Sequence, residues 1–125
     1  MRTANVSGRV PRKYERLIEK QARAAKTSKS NLVSRYVIEK SLEGEFPGIG
    51  FRDSASGREA YVLGHRVAVW EVATVVAEAK SVTAAAEYFR WPAVLVERAM
   101  AYAAAFPKEI EAARGGEQDA IPAAG

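Results

Sequence analysis

From Arg2 to Val10 the chain alternates, with Thr3, Asn5, Ser7 and Arg9 on one side and Ala4, Val6, Gly8 and Val10 on the other. That period of two is the pattern of a strand. The run carries no turn signal, so it cannot fold back on itself. A lone strand leaves its backbone groups unpaired and needs a partner. The simplest one is the same strand of a second copy, paired antiparallel about a two-fold axis. After Pro11, which suits the first position of a helix, the period lengthens. Tyr14, Leu17, Ile18, Ala22 and Ala25 recur at helical spacing with charges between them, predicting a helix that ends near Lys26. Thr27 or Ser28 then caps a second helix with Leu32, Val33, Tyr36, Val37 and Leu42 as its apolar stripe. Gly44, followed by Pro47 and Gly48, is expected to stop it.

Beyond this Gly/Pro break the pattern changes again. Ile49–Arg52 and Glu59–Leu63 read as the arms of a hairpin around a five-residue loop, Asp53 to Gly57. Val67 to Lys80 has a helical stripe of Val69, Trp70, Val72, Ala73, Val76 and Ala77. Ser81 is placed to cap a short helix, Val82 to Arg90. Trp91-Pro92 opens another, with Val94, Leu95, Ala99, Tyr102 and Ala103 facing inward; Pro107 breaks it, and Lys108 to Arg114 gives a final turn or two. The expected fold class is mainly α with short β. The expected organisation is a strand-helix-helix module over 1–44, a linker at 45–48, a hairpin with three or four helices over 49–114, and a Gly/Ala/Pro-rich disordered tail over 115–125.

Charge sharpens this division. The net charge of +4 conceals a basic module, with 11 Lys+Arg and 4 Glu in residues 1–44, and a mildly acidic remainder. A basic half suggests a polyanionic partner, although a merely solvated charged surface would look the same. The absence of cysteine rules out disulfides and thiolate zinc sites, and a single histidine, His65, leaves no histidine-based triad or metal cluster. The carboxylates Glu71, Glu78, Glu87 and Glu97 are scattered over helical faces, and no nucleophile–base pair or glycine-rich phosphate loop can be assembled. We therefore expect no enzyme, no cofactor and no metal. The first residues lack the apolar run of a secretory signal, and no stretch is long and apolar enough to span a membrane; the expected location is cytoplasmic, at the nucleoid when bound to DNA.

The order of elements in residues 3–43, with the alternating Val6-Ser7-Gly8-Arg9-Val10, the Pro11-Arg12 helix start and the turn Thr27-Ser28-Lys29-Ser30, resembles the ribbon-helix-helix family of small repressors and antitoxins (the Arc, MetJ and CopG type). The resemblance covers about a third of the chain. It implies an intertwined homodimer, formed through the N-terminal strands, that binds double-stranded DNA with the paired strands in the major groove. The outward residues Asn5, Ser7 and Arg9 would then read base edges: Arg9 suits guanine O6/N7, Asn5 suits adenine N6/N7, and Ser7 is permissive. Arg12 and the start of the second helix, Ser28, Lys29 and Ser30, would hold phosphates with free N–H groups and positive charge. The same residues also suit a plain solvent face and a simple helix cap. Gly8 departs from the family, which usually has a packing aliphatic there, and glycine weakens a strand interior.

Residues 47–114, through Gly57-Arg58, the Gly64-His65-Arg66 step into a helix and the run Ser81-Val82 to Tyr102, resemble the bacterial domain of unknown function 433. His65 stands where that family usually has Thr or Ser. Proteins with this domain are often VapB-type antitoxins, so the resemblance implies a PIN-like ribonuclease toxin as partner, with Arg66, Trp70 and Trp91 as candidate contacts. Arg66 could equally satisfy hairpin carbonyls, and any one aromatic could be core. The two helices 82–90 and 92–105 are also spaced like a helix-turn-helix. However, the second of them has only Arg98 as a cation, balanced by Glu97, and a groove-reading helix needs several donors. The expected function is thus a sequence-specific transcription regulator, an antitoxin repressing its own operon and neutralising a toxin. The alternative is a stand-alone repressor whose second module mediates oligomerisation or senses a ligand.

Overall fold

A computed structural model describes residues 2–55 and 57–120. It is mainly helical, with one two-stranded antiparallel sheet: α1 (Arg12–Ala24), α2 (Lys29–Glu45), β1 (Ile49–Ser54), β2 (Gly57–Val62), α3 (Val69–Ala79), α4 (Val82–Phe89), α5 (Ala93–Ala105) and α6 (Pro107–Ala120). The chain divides into two compact units, residues 1–38 and 39–125. This division falls inside α2, six residues before the boundary that the Gly/Pro break suggests. The reason is Glu39, which is held by Arg58 of the hairpin and so belongs with the second unit.

In the first unit α1 follows Pro11 at its N-cap, and the turn to α2 is tight. Lys26 takes a left-handed conformation (φ 56°), while Thr27 N–H donates to the Ala22 carbonyl at 3.0 Å. Such a bond closes a helix end on the carbonyls of its last turn. Two side-chain links join the helices, Tyr36 Oη to Gln21 at 2.6 Å and Lys29 Nζ to Glu15 at 3.2 Å. Among the described residues of this unit only Ala22 and Leu32 are buried. Tyr14, Leu17, Val33, Tyr36 and Val37, most of the expected stripe, stay exposed, as do Val6 and Val10. Residues 2–10 form no secondary structure and are exposed throughout. A strand requires a ladder of hydrogen bonds, and the segment has no partner for one in a single chain.

The second unit carries the core: Ile49, Ala60 and Val62 of the hairpin against Val69, Val72, Ala85, Ala86, Val96, Ala99, Tyr102 and Ala103 of the helices. Tyr102 is fully buried, with Phe46, Phe51 and Phe106 around its ring at centroid distances of 5.3, 5.9 and 4.9 Å. Its hydroxyl donates to Glu109 at 3.0 Å. The hairpin register pairs Ile49 with Val62 and Ser54 with Gly57, so its loop is the pair 55–56 and not five residues; Ser56 lies outside the described residues. Asp53 and Ser54 stay in the ladder because Asp53 faces and binds Arg58 (3.3 Å), and Ser54 Oγ donates to the Gly57 carbonyl (2.8 Å). Gly50 lies under Tyr61 and Leu63; a Cβ there would fall 2.6 Å from Leu63 Cδ2 and 3.1 Å from Tyr61 Cε1.

Helix bounds differ from the sequence pattern in three places and the buried face of α5 in a fourth, each for a packing reason. Gly44 lies inside α2, because the last turn is carried to Phe46, whose N–H donates to the Leu42 carbonyl at 2.8 Å and whose ring packs on Tyr102. In α3, Val67 and Ala68 precede the helix because they return to the hairpin, Val67 O accepting from Val62 N–H at 2.9 Å. In α5 the buried set is Val96, Ala99, Tyr102 and Ala103, while Val94 is exposed and Leu95 half-buried. Once Tyr102 fixes the phase of the helix, Val94 points away from the core. Finally, α6 does not stop at Arg114 but runs through Gly115 and Gly116 to Ala120, into the expected tail. Ile110 anchors it on the core, and two glycines at about 1 kcal/mol each do not break a helix so held. Residues 121–125 of that tail lie outside the described residues.

Candidate functional site

Two sets of residues stand out, one in each unit. In the first, Asn5, Ser7 and Arg9 lie on the exposed segment before α1 and make no hydrogen bond or ion pair among the described residues. Arg12 opens α1 and is exposed. Ser28 caps α2: its Oγ accepts from Asn31 N–H at 3.0 Å, and its carbonyl accepts from Leu32 N–H at 3.0 Å. A capping Ser at the start of a 17-residue helix leaves other first-turn N–H groups directed outward, which favours an anion. Lys29, next to it, lies 3.2 Å from Glu15 and 3.8 Å from Glu19. The Glu15 carboxylate, by hydrogen bond and charge, holds the Lys29 ammonium above the usual lysine range. A phosphate would therefore compete with Glu15 for Lys29. Ser30 is exposed beside them.

The apolar residues of the same segment, Val6 and Val10, together with Ile18 and Val33, line an open cavity of about 440 Å³. Of the expected phosphate-holding residues, Lys29 and Ser30 also line this cavity. The apolar side of the segment faces a space that this chain by itself does not fill.

In the second unit, Arg66, Trp70 and Trp91 occupy different settings. Trp70 borders a cavity of about 150 Å³ with Arg58, Glu59 and α6 residues Glu109 and Ile110. Its Nε1–H is buried without an acceptor among the described residues. Trp91 belongs instead to a run of ring contacts: His65 tilted against it at 4.5 Å, then Phe89 at 4.5 Å and nearly parallel (18°), then Tyr88 edge-on to Phe89 at 5.1 Å. Arg66 is exposed and makes no hydrogen bond or ion pair among the described residues, so it does not serve hairpin carbonyls. Arg98 lies against Gly48: a Cβ there would be 3.1 Å from Arg98 Cδ.

Sequence reasoning missed the charged clamp on the hairpin. Arg58 holds Glu39 with both Nε (3.0 Å to Oε2) and Nη2 and also reaches Asp53, while Arg52 pairs with the buried Glu59 at 2.9 Å. The opposite charges of Arg52 and Glu59 on the two arms flanking the turn were the available signal. The Glu39 link, nineteen residues away, left none. Among the described residues no three His, Asp or Glu gather as metal ligands, and no helix is long and apolar enough to cross a membrane. Comparison with known protein families, curated proteins and solved structures finds no match.

Proposed function

We propose that the chain is a DNA-binding regulator that acts as a homodimer, pairing its N-terminal segments into a two-stranded ribbon that reads the major groove. The observation that carries this reading is the imbalance of the first unit. Val6, Val10, Tyr14, Leu17, Val33, Tyr36, Val37 and Ile38 are 42–83% exposed, Ile18 is half-buried, and among the described residues of the unit only Ala22 and Leu32 are buried. Fully burying one such side chain is worth about 1.5–3 kcal/mol, and a unit this small cannot be stable with so little core. A second copy supplies the missing surface and the missing strand at once. The basic charge of residues 1–44 and the unpaired Arg9, Asn5 and Ser7 match a polyanionic target.

The second unit would then hold a protein partner, in line with the antitoxin resemblance and its PIN-like ribonuclease; co-expression with the product of the neighbouring gene tests that part. For the DNA reading, the protein is titrated onto labelled duplex from upstream of its own gene at 50 and 200 mM salt. We expect affinity to fall by orders of magnitude over that range, as for proteins making several phosphate contacts. Arg9→Ala should lose about 1–3 kcal/mol of discrimination against a scrambled duplex. Equal binding to the scrambled duplex by wild type, or no effect of Arg9→Ala, sinks the base-reading role.

A further inference from the structure

Lys29 is the first residue of α2. That is an unfavourable place for a cation, because the unsatisfied N–H groups of a helix start carry positive charge. The first turn of α2 has no acidic residue of its own to offset this. The offset comes from α1. Glu15 and Glu19 stand four residues apart and so share one face of that helix, and their carboxylates lie 3.2 and 3.8 Å from Lys29 Nζ. The nearer one accepts a hydrogen bond from the ammonium. Neither carboxylate meets another cation among the described residues, although Arg12, Lys13, Arg16, Lys20 and Arg23 stand on the same helix.

The pair lies beside the segment that carries Asn5, Ser7 and Arg9. Glu15, Lys29 and Ser30 line the cavity of about 440 Å³ together with Val6, Gly8 and Val10 of that segment. A duplex on this face would bring phosphates to the start of α2, where free N–H groups favour an anion. There it would meet two carboxylates. A phosphate can pair closely with Lys29 only as these give way, since anions gathered on one cation repel each other. Lys29 and Glu15 are each about half exposed, and pairs so open to water are weak enough to exchange. The penalty falls on every duplex alike, because phosphates carry no sequence information.

We propose that Glu15, together with Glu19, is an internal competitor for DNA phosphate that holds Lys29 in the free protein and so lowers the sequence-independent part of binding. The proposal rests on the reading of the first unit as DNA-binding. It adds two acidic positioning residues that act through Lys29, against the sign of the unit's net charge.

The test is a double-mutant cycle on the full chain, read by titration onto labelled duplex from upstream of its own gene and onto a scrambled duplex. The salt is about 150 mM, where charges more than about 8 Å apart are largely screened. Glu15→Gln with Glu19→Gln should tighten binding about fivefold, by the same factor on both duplexes. Lys29→Gln should weaken both alike. Added to Lys29→Gln, the two Glu changes should move binding by less than about twofold, because the cation through which they act is gone. A gain of the same size with and without Lys29 would overturn the proposal, since it would report only a general loss of negative charge. So would weaker binding by the double Glu variant, the result if the pair held Lys29 ready for phosphate or merely joined α1 to α2; a lower thermal midpoint would mark the latter. The DNA reading fails separately. If wild type prefers the upstream duplex but the cycle shows no coupling, the competitor is wrong and the reading stands. If the Glu changes tighten binding only while Lys29 is present, and wild type shows no preference between duplexes, the competitor stands and base reading falls. If neither wild type nor any variant binds a duplex, both fall.

Discussion

Tyr102 shows how one side chain can couple packing to pH. Its ring is fully buried, and burial, followed by the nearby Glu109 carboxylate, raises its phenol well above the usual value near 10. The folded state thus holds this proton more tightly than the unfolded chain does. The stability this brings is present below about pH 10 and is lost as pH rises above it. Denaturant midpoints should accordingly fall between pH 10 and 12, and less so in Tyr102→Phe, which has no phenol to ionise. Lys80 offers a second test. It ends α3 in a left-handed conformation (φ 65°), which costs a residue with a Cβ about 1 kcal/mol. Lys80→Gly should raise the unfolding free energy by roughly that amount in thermal or urea denaturation. Both residues show how sequence and structure divide the information. Tyr102 was legible as an inward residue from its spacing, whereas the left-handed Lys80 was not, because nothing in a lysine codes for it.

Elements formed where local chemistry agreed with packing. Ser81 was readable as a cap, and its Oγ accepts from Ala84 N–H at 3.0 Å; Ser81→Ala should cost about 1 kcal/mol in thermal unfolding. The hairpin was readable from its alternation and glycines, but the loop length was not. Whether Asp53 and Ser54 pair or turn depends on Arg58 opposite them. Gly50 likewise owes its identity to neighbours across the sheet. Gly50→Val would drive its side chain into Leu63 and Tyr61 and should destabilise by about 1–3 kcal/mol, read from the urea midpoint with the helical far-UV signal as probe. The extension of α6 past Gly115 was hidden for the same reason. Propensity argues against glycine in a helix, and only the anchoring of Ile110 on the core outweighs it.

At the scale of the whole molecule, the two units differ in how completely one chain satisfies them. The second has a continuous core that includes hairpin and helices. The first leaves its stripe in water, and the dimer proposed above would cover it. Leu17→Asp, at a residue 51% exposed in the single chain, should therefore shift the protein from dimer to monomer in sedimentation equilibrium. An unchanged dimer would mean that α1 is not the face that pairs. By itself the sequence determined the succession of helices and hairpin, the caps, the break after α2 and the basic charge of the N-terminal half, because these depend on residues within a turn or two of each other. Only the tertiary structure decided that Glu39 joins the hairpin, that Val96 and not Val94 enters the core, that α6 continues, and that His65 packs against Trp91 while Trp70 lies elsewhere. Those outcomes depend on side chains far apart in sequence meeting at van der Waals or hydrogen-bond distance, and a periodicity along one element cannot encode what the facing element presents.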